Sequence, residues 1–321
     1  MIKIYQTVAE KLVELQELEG KNLWVCLIAP TEEEIVEVSR KTGIDPEYLH
    51  HPLDDEERPR IELNADQILV IIKIPVEKKR HNYIFHDTIP LGIIITREHV
   101  VTVCLEDTPL FSELVNSPDP IYTFKRTRFL LQVLVRTAAL YLRYLRQIDK
   151  RSTELQHYLS HAMRNEELLQ LLEVQKSLVY FTTSLKANGI VMEKLLRTHL
   201  AKATDDSAGR LIKMRPEDED LLEDVITENK QAIEMSTTYS AILTETMDAF
   251  ASLISNNLNM VMKFLTSVTI VLSVPMIITS FYGMNVHLPF QGWAHAYLWI
   301  LATIAGFSGL VTYILARKRM F

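Results

Sequence analysis

Residues Asn259–Asn285, NMVMKFLTSVTIVLSVPMIITSFYGMN, decide the reading of this chain. Phe264–Tyr282 carries no charged residue, and a bilayer core needs roughly 20 apolar residues in a helix. Within and just before that run, Asn259, Met262, Thr266, Thr269, Ser273, Met276 and Ser280 recur at steps of three or four, which traces one helix face. Any one Ser or Thr in a membrane helix is most often bonded to its own backbone or used in helix packing. A whole stripe of such residues fits the wall of a pore. One chain with two spans cannot enclose a pore, but several copies around a common axis can.

The second span is Ala294–Ala316, free of charge apart from His295. Lys263 stands at the start of the first span, where its stem can snorkel to the interface. The chain ends Arg317-Lys318-Arg319, while the connector Gly283–Trp293 has no Lys or Arg. By the positive-inside rule both termini are expected in the cytosol. Trp293, Tyr297 and Trp299 are expected at the outer interface.

The composition fits a charged soluble part joined to an apolar tail: 48% hydrophobic and 23% charged residues in 321. A formal net charge of -7 argues against a nucleic-acid binder, which usually shows a basic face. Cys26 and Cys104 each lie in an apolar, β-branched run, so buried free thiols are expected rather than a disulfide or metal cluster. The N-terminus lacks the basic start, apolar run and small-residue cleavage site of a signal peptide. The nine glycines form no GxGxxG or GxxxxGK[ST] loop, and there is no nucleophile elbow or HExxH, so an enzyme is not expected.

Residues 1–120 read as a cytosolic α+β domain with a mainly β core. Strands are expected at Leu23–Ala29, Ile61–Leu63, Ile68–Ile74, Asn82–His86, Ile89–Thr96 and His99–Leu105, with Arg97-Glu98 as a hairpin turn. Thr31 with Glu34 is a capping-box pattern opening a helix that Gly43 ends, and Asp45–His51 reads as a short second helix. Residues 121–204 carry apolar positions at helical spacing, broken briefly at Arg164-Asn165, and predict two long antiparallel helices, with Gly189 inside the second. After a polar connection at Asp205–Met214, Pro216 and the acids Glu217–Asp220 suit the start of a further helix. No proline interrupts it before Pro275, so one helix reaching Tyr282 would run ~100 Å. Its cytosolic part is expected over 205–262 and the first span over 263–285. An extracytoplasmic loop follows over 286–294, the second span over 295–316 and a basic cytosolic tail over 317–321.

Tyr282-Gly283-Met284-Asn285 closes the first of two spans near the C-terminus, and this resembles the CorA family of magnesium transporters, which is marked by a Gly-Met-Asn motif at that place. Gly43-Ile44-Asp45-Pro46 and Arg58-Pro59-Arg60-Ile61-Glu62 are similar to further family patterns, so the resemblance covers the whole chain. It implies a homopentamer in the cell membrane, with five first spans around a pore and a funnel of long helices below. The ion would be Mg2+, transported and also regulatory, with Co2+, Ni2+ or Zn2+ as alternatives. A ring of Asn285 amides at the outer mouth would accept hydrogen bonds from a hydrated cation, and Mg2+ keeps its waters tenaciously. Gly283 would permit the tight backbone at the helix end. Met262 and Leu265 match a hydrophobic constriction, where gating by dewetting is expected, and Asn259 a polar position just below it.

Three departures stand out. The spacing from Pro275 to Asn285 is one residue shorter than in the family. The outer loop VHLPFQGWAHA lacks acids, so attraction of cations there is expected to rest on amides and helix dipoles, or on His287. At the family's acidic regulatory pair this chain has His50-His51, with Asp54 and Asp55 nearby and Asp220 or Asp224 as the partner acid on the long helix. Imidazole prefers transition metals to Mg2+, which keeps a zinc, cobalt or nickel transporter open as the second reading. A solvated surface is the simpler expectation for Glu217–Asp220, and a surface pair or an interhelix contact for His157 and His161. A membrane-anchored sensor without a pore is the third reading.

Overall fold

The computed structural model describes residues 1–64, 66–80, 83–162, 165–201, 211–212, 214–285 and 295–318. They divide into two compact units, Met1–Thr244 and Glu245–Phe321.

The first unit is built on a seven-stranded sheet. Its strands are β1 (Ile2–Val8), β2 (Lys11–Leu15), β3 (Leu23–Ile28), β4 (Arg60–Leu63), β5 (Gln67–Arg80), β6 (Tyr83–Thr96) and β7 (His99–Cys104), in the order β2-β1-β3-β7-β6-β5-β4. Among the described residues only β3 and β7 pair in parallel. Every residue of β3 and β7 is buried, because both faces of the sheet are covered. On one face Val25 and Leu27 pack with Ile35, Val38 and Leu49 of the helices α1 (Glu32–Thr42) and α2 (Pro46–His50). On the other, the Trp24 ring meets Phe129 at 5.1 Å, and its indole N–H donates to Thr102 Oγ1 at 2.9 Å. Cys26 and Cys104 are buried free thiols, and burial pushes both up to about 12.

Local chemistry explains the α1–α2 corner. Thr31 and Glu34 form both halves of a capping box. Gly43 ends α1 at φ 72, a left-handed conformation that glycine adopts without a Cβ penalty. Asp45 caps α2, and Pro46 occupies its first turn. A 3-10 turn at His51–Leu53 then presses Pro52 onto Gly92 of β6, so closely that a Cβ there would fall 2.1 Å from Pro52 Cγ. Asp54, which follows the turn, accepts from the Glu56 N–H.

Two expectations are corrected here. Described strand pairing runs through Pro90, so the separate strands expected at Asn82–His86 and Ile89–Thr96 are one strand, β6 (Asn82 lies outside the described residues). Pro90 faces Lys73, and Lys73 needs no ladder partner there: its N–H donates to Asn188 Oδ1 at 2.8 Å. Its carbonyl accepts from Asn188 Nδ2 at 2.7 Å and from Tyr141 Oη at 3.0 Å. The second correction is the hairpin β1–β2 and the helix α3 (Pro109–Val115), which the sequence reading did not contain.

Helices α4 (Arg126–Ala162) and α5 (Asn165–Ala201) lie antiparallel: Tyr141 meets Phe181 at 5.0 Å, and Arg151 donates to Gln170 at 2.8 Å. Gly189 sits inside an unbroken α5, where a Cβ would approach Asn229 Nδ2 to 3.1 Å. That close approach belongs to α6 (Pro216–Tyr282), whose Asn229 donates to the Leu185 carbonyl and whose Ser236 donates to the Leu178 carbonyl. Asp218, expected on a solvated surface with its acidic neighbours, is instead buried, 3.0 Å from Arg128 Nη1. It acts as a turn anchor, accepting also from the Arg215 N–H at 3.2 Å.

The second unit holds the C-terminal part of α6 and the helix α7 (Ala296–Arg317). Both are long and apolar enough to cross a bilayer, and their apolar windows are almost wholly exposed. For helices of this composition that exposure fits contact with lipid or with further copies.

Candidate functional site

The uncharged run of α6 has two unlike sides. Ser267 is fully buried, and Val268, Val271, Val274, Pro275 and Ile278 are partly covered. Asn259, Met262, Leu265, Thr266, Thr269 and Ser280 are exposed, and Ser273 is half-buried. At about 100° per residue the exposed polar row falls opposite the covered one. On α7 a matching covered row runs through Ile300, Ile304, Val311 and Leu315. The polar row is therefore the side of α6 left open within one chain.

Two of its hydroxyls are bonded within the helix. Thr269 Oγ1 donates to the Leu265 carbonyl at 2.8 Å, and Ser273 Oγ to the Thr269 carbonyl at 2.8 Å. Backbone bonding and a polar lining are compatible here. A hydroxyl that has given its hydrogen to the turn below presents only lone pairs outward. At Thr269 and Ser273 the lining therefore accepts hydrogen bonds from the water around a cation and offers no hydroxyl donor to an anion.

α6 ends at Tyr282. The Gly283 N–H donates to the Thr279 carbonyl at 2.9 Å and to the Ser280 carbonyl at 3.2 Å, and the Met284 N–H to the Phe281 carbonyl at 3.4 Å. Gly283 is not among the described residues with positive φ, so its conformational freedom is not what the turn uses. A Cβ at Gly283 would lie 3.3 Å from the Thr279 carbonyl oxygen, so glycine serves a close approach to the last turn. Met284 and Asn285 follow, both exposed. The loop 286–294, with His287 and Trp293, lies outside the described residues, as do residues 205–210 and 213 of the polar connection and the side chain of His161.

The four acids and one histidine expected to regulate, Asp54, Asp55, Asp220, Asp224 and His51, do not form a set within one chain. Among the described residues no three His, Cys, Asp or Glu side chains come together as metal donors. His51 Nδ1 lies 3.7 Å from Glu57, and the neighbouring His50 lies 3.5 Å from Glu32, each facing a single carboxylate. Asp54 is used in its turn, and the Asp55 carbonyl accepts from Lys73. Asp220 and Asp224 are exposed on α6.

Comparison with known proteins agrees with this layout. The family described as CorA-like Mg2+ transporter protein matches residues 19–318. The cobalt/magnesium transport protein CorA of Methanocaldococcus jannaschii is 31% identical over 317 residues, covering 97% of this chain and 95% of that protein. The protein of the same name from Thermotoga maritima is 24% identical over 285 residues, covering 86% of this chain and 77% of that protein. The complete structure of the CorA magnesium transporter from Methanocaldococcus jannaschii superposes with TM-score 0.80 at 27% identity, covering 99% of this chain and 96% of that one. The full-length CmaX protein shares the fold, at TM-score 0.69 and 14% identity over 98% of this chain and 97% of its own. With a family match over most of its length and a relative of 31% identity along nearly all of it, this chain belongs to the CorA family.

Proposed function

We propose that the chain is a divalent-cation channel that admits Mg2+ to the cell as a homopentamer in the plasma membrane, both termini in the cytosol. The carrying observation is the polar row of α6, exposed on the side away from the covered residues and ending at Gly283-Met284-Asn285. Five such rows around an axis make a water-lined path of acceptor oxygens. A ring of Asn285 amides at its mouth holds a hydrated cation by its waters without stripping them, which suits an ion that dehydrates as reluctantly as Mg2+. Relatives named cobalt/magnesium transport proteins support Co2+ as a second permeant ion.

Influx is passive. A membrane potential of 100 mV is worth about 2.3 kcal/mol per elementary charge, so about 4.6 kcal/mol for a divalent cation. That is more than three powers of ten in equilibrium ratio, enough to drive entry without a coupled reaction. Met262 and Leu265 form the hydrophobic neck that closes by dewetting. Internal Mg2+ closes it by bridging neighbouring chains through carboxylates such as Asp54 or Asp55 on one and Asp220 or Asp224 on the next, with His51 beside them.

The test is Mg2+ flux into proteoliposomes by Asn285→Ala. Flux is expected to vanish while the oligomer stays intact. Undiminished flux in an intact oligomer overturns the assignment of Asn285 to the ion path.

A further inference from the structure

An open cavity of about 940 Å3 lies between one side of α4, the segment Ser117–Lys125 and the first turn of α6. Pockets that hold cofactors and drug-sized ligands measure roughly 300–1,000 Å3. In a chain of net charge -7, this cavity is lined by five cationic side chains, Lys125, Arg126, Arg128, Arg136 and Arg215. Three carboxylates, Asp119, Glu217 and Asp218, stand against them. Arg128 is held by Asp218, and Arg136 donates to Ser117 Oγ at 2.7 Å with Asp119 at 3.9 Å.

The other three cations have no carboxylate within ion-pair distance among the described residues. Lys125 Nζ sits 4.1 Å over the Tyr122 ring. Arg126 is partly buried and spends one N–H on the Arg97 carbonyl, and burial holds its guanidinium below the usual arginine range. Arg215 is exposed at the rim. Tyr122 and Phe124, with ring centroids 5.3 Å apart, supply an aromatic wall, and Phe124 leaves a large apolar ring in solvent. Unpaired guanidinium and ammonium groups lining a cavity are the usual receptors for phosphate oxygens, and an adjacent aromatic pair, Tyr122 half-buried and Phe124 exposed, can take a planar ring.

We propose that this cavity binds a free phosphorylated anion of nucleotide size. Lys125, Arg126 and Arg215 take its phosphates, and Tyr122 and Phe124 take its ring. This stands apart from the ion path, since every lining residue lies in the first unit.

The test is titration calorimetry of the purified full-length protein with ADP and, separately, with pyrophosphate. The buffer is metal-free, so that no divalent ion in the transport path can carry the anion. Both probes are expected to saturate, ADP the more tightly. The double variant Lys125→Ala/Arg215→Ala is expected to weaken both by at least about tenfold, equivalent to about 1.4 kcal/mol. Tyr122→Ala weakens ADP and leaves pyrophosphate unchanged, and Lys150→Ala, an exposed position outside the cavity, changes neither. Melting curves confirm that each variant is folded. Absence of saturable binding at about 5 mM of either probe overturns the proposal. So does binding that the double variant leaves intact, or saturation only by anionic lipid vesicles.

Discussion

Gly92 is the described glycine at which an added Cβ would meet the closest neighbour. It lies mid-strand, where glycine ordinarily costs stability, and its reason is the Pro52 ring resting on the backbone. Gly92→Ala is expected to lower stability by about 1–3 kcal/mol, the usual penalty of an overpacked core. Melting temperature measures it, and Gly92→Ala combined with Pro52→Ala should recover part of the loss. His86 makes a second prediction at this scale. Buried against Tyr144 at 4.8 Å, with Nε2 unpartnered, it is held below its ordinary 6.5 by burial, against a smaller opposing pull from Glu77. The unfolded chain therefore takes up this proton first as pH falls. Stability from His86 is full above about 6.5 and is lost as pH drops through that value toward the depressed folded pKa. Urea midpoints at about pH 5 and about pH 8 should show the loss, and His86→Phe should reduce it. An unchanged pH dependence in that variant would refute the assignment. The sequence marked neither residue, because both owe their roles to partners distant in the chain.

At the scale of elements, the helices are keyed to the sheet by polar side chains, among them Asn188, Tyr141 and Ser177. Asn188 stands in for a missing strand beside Lys73, giving and taking one hydrogen bond each. Asn188→Ala is expected to cost about 1–3 kcal/mol by leaving the partly buried Lys73 N–H unsatisfied, measured by denaturant unfolding. The same contact explains how β6 passes through Pro90 unbroken, a point at which sequence reasoning divided it. Helix ends were legible because Thr31, Glu34, Gly43 and Asp45 carry their chemistry locally. The first hairpin was not: Ala9 and Glu10 hold its turn at φ 47 and φ 66, where Asn-Gly would have advertised it. On α6 the polar row was legible as periodicity, while its placement opposite the covered row depends on burial, which no spacing states.

For the whole molecule, the strongest expectation is assembly. One chain leaves the polar row of α6 open, and five copies of 37.0 kDa are expected in light-scattering mass measurement in detergent. A monomer or dimer of undamaged protein would contradict the proposed pore. The two thiols have a practical consequence for testing it. Alkylating reagents attack thiolate, and a group pushed to about 12 and shut inside β3 or β7 supplies almost none at neutral pH. The natural chain is thus already a silent background for labelling. A cysteine introduced at Thr269, Ser273 or Asn285 would be the one reactive thiol, and its blockade by permeant ions could be read without first removing Cys26 and Cys104.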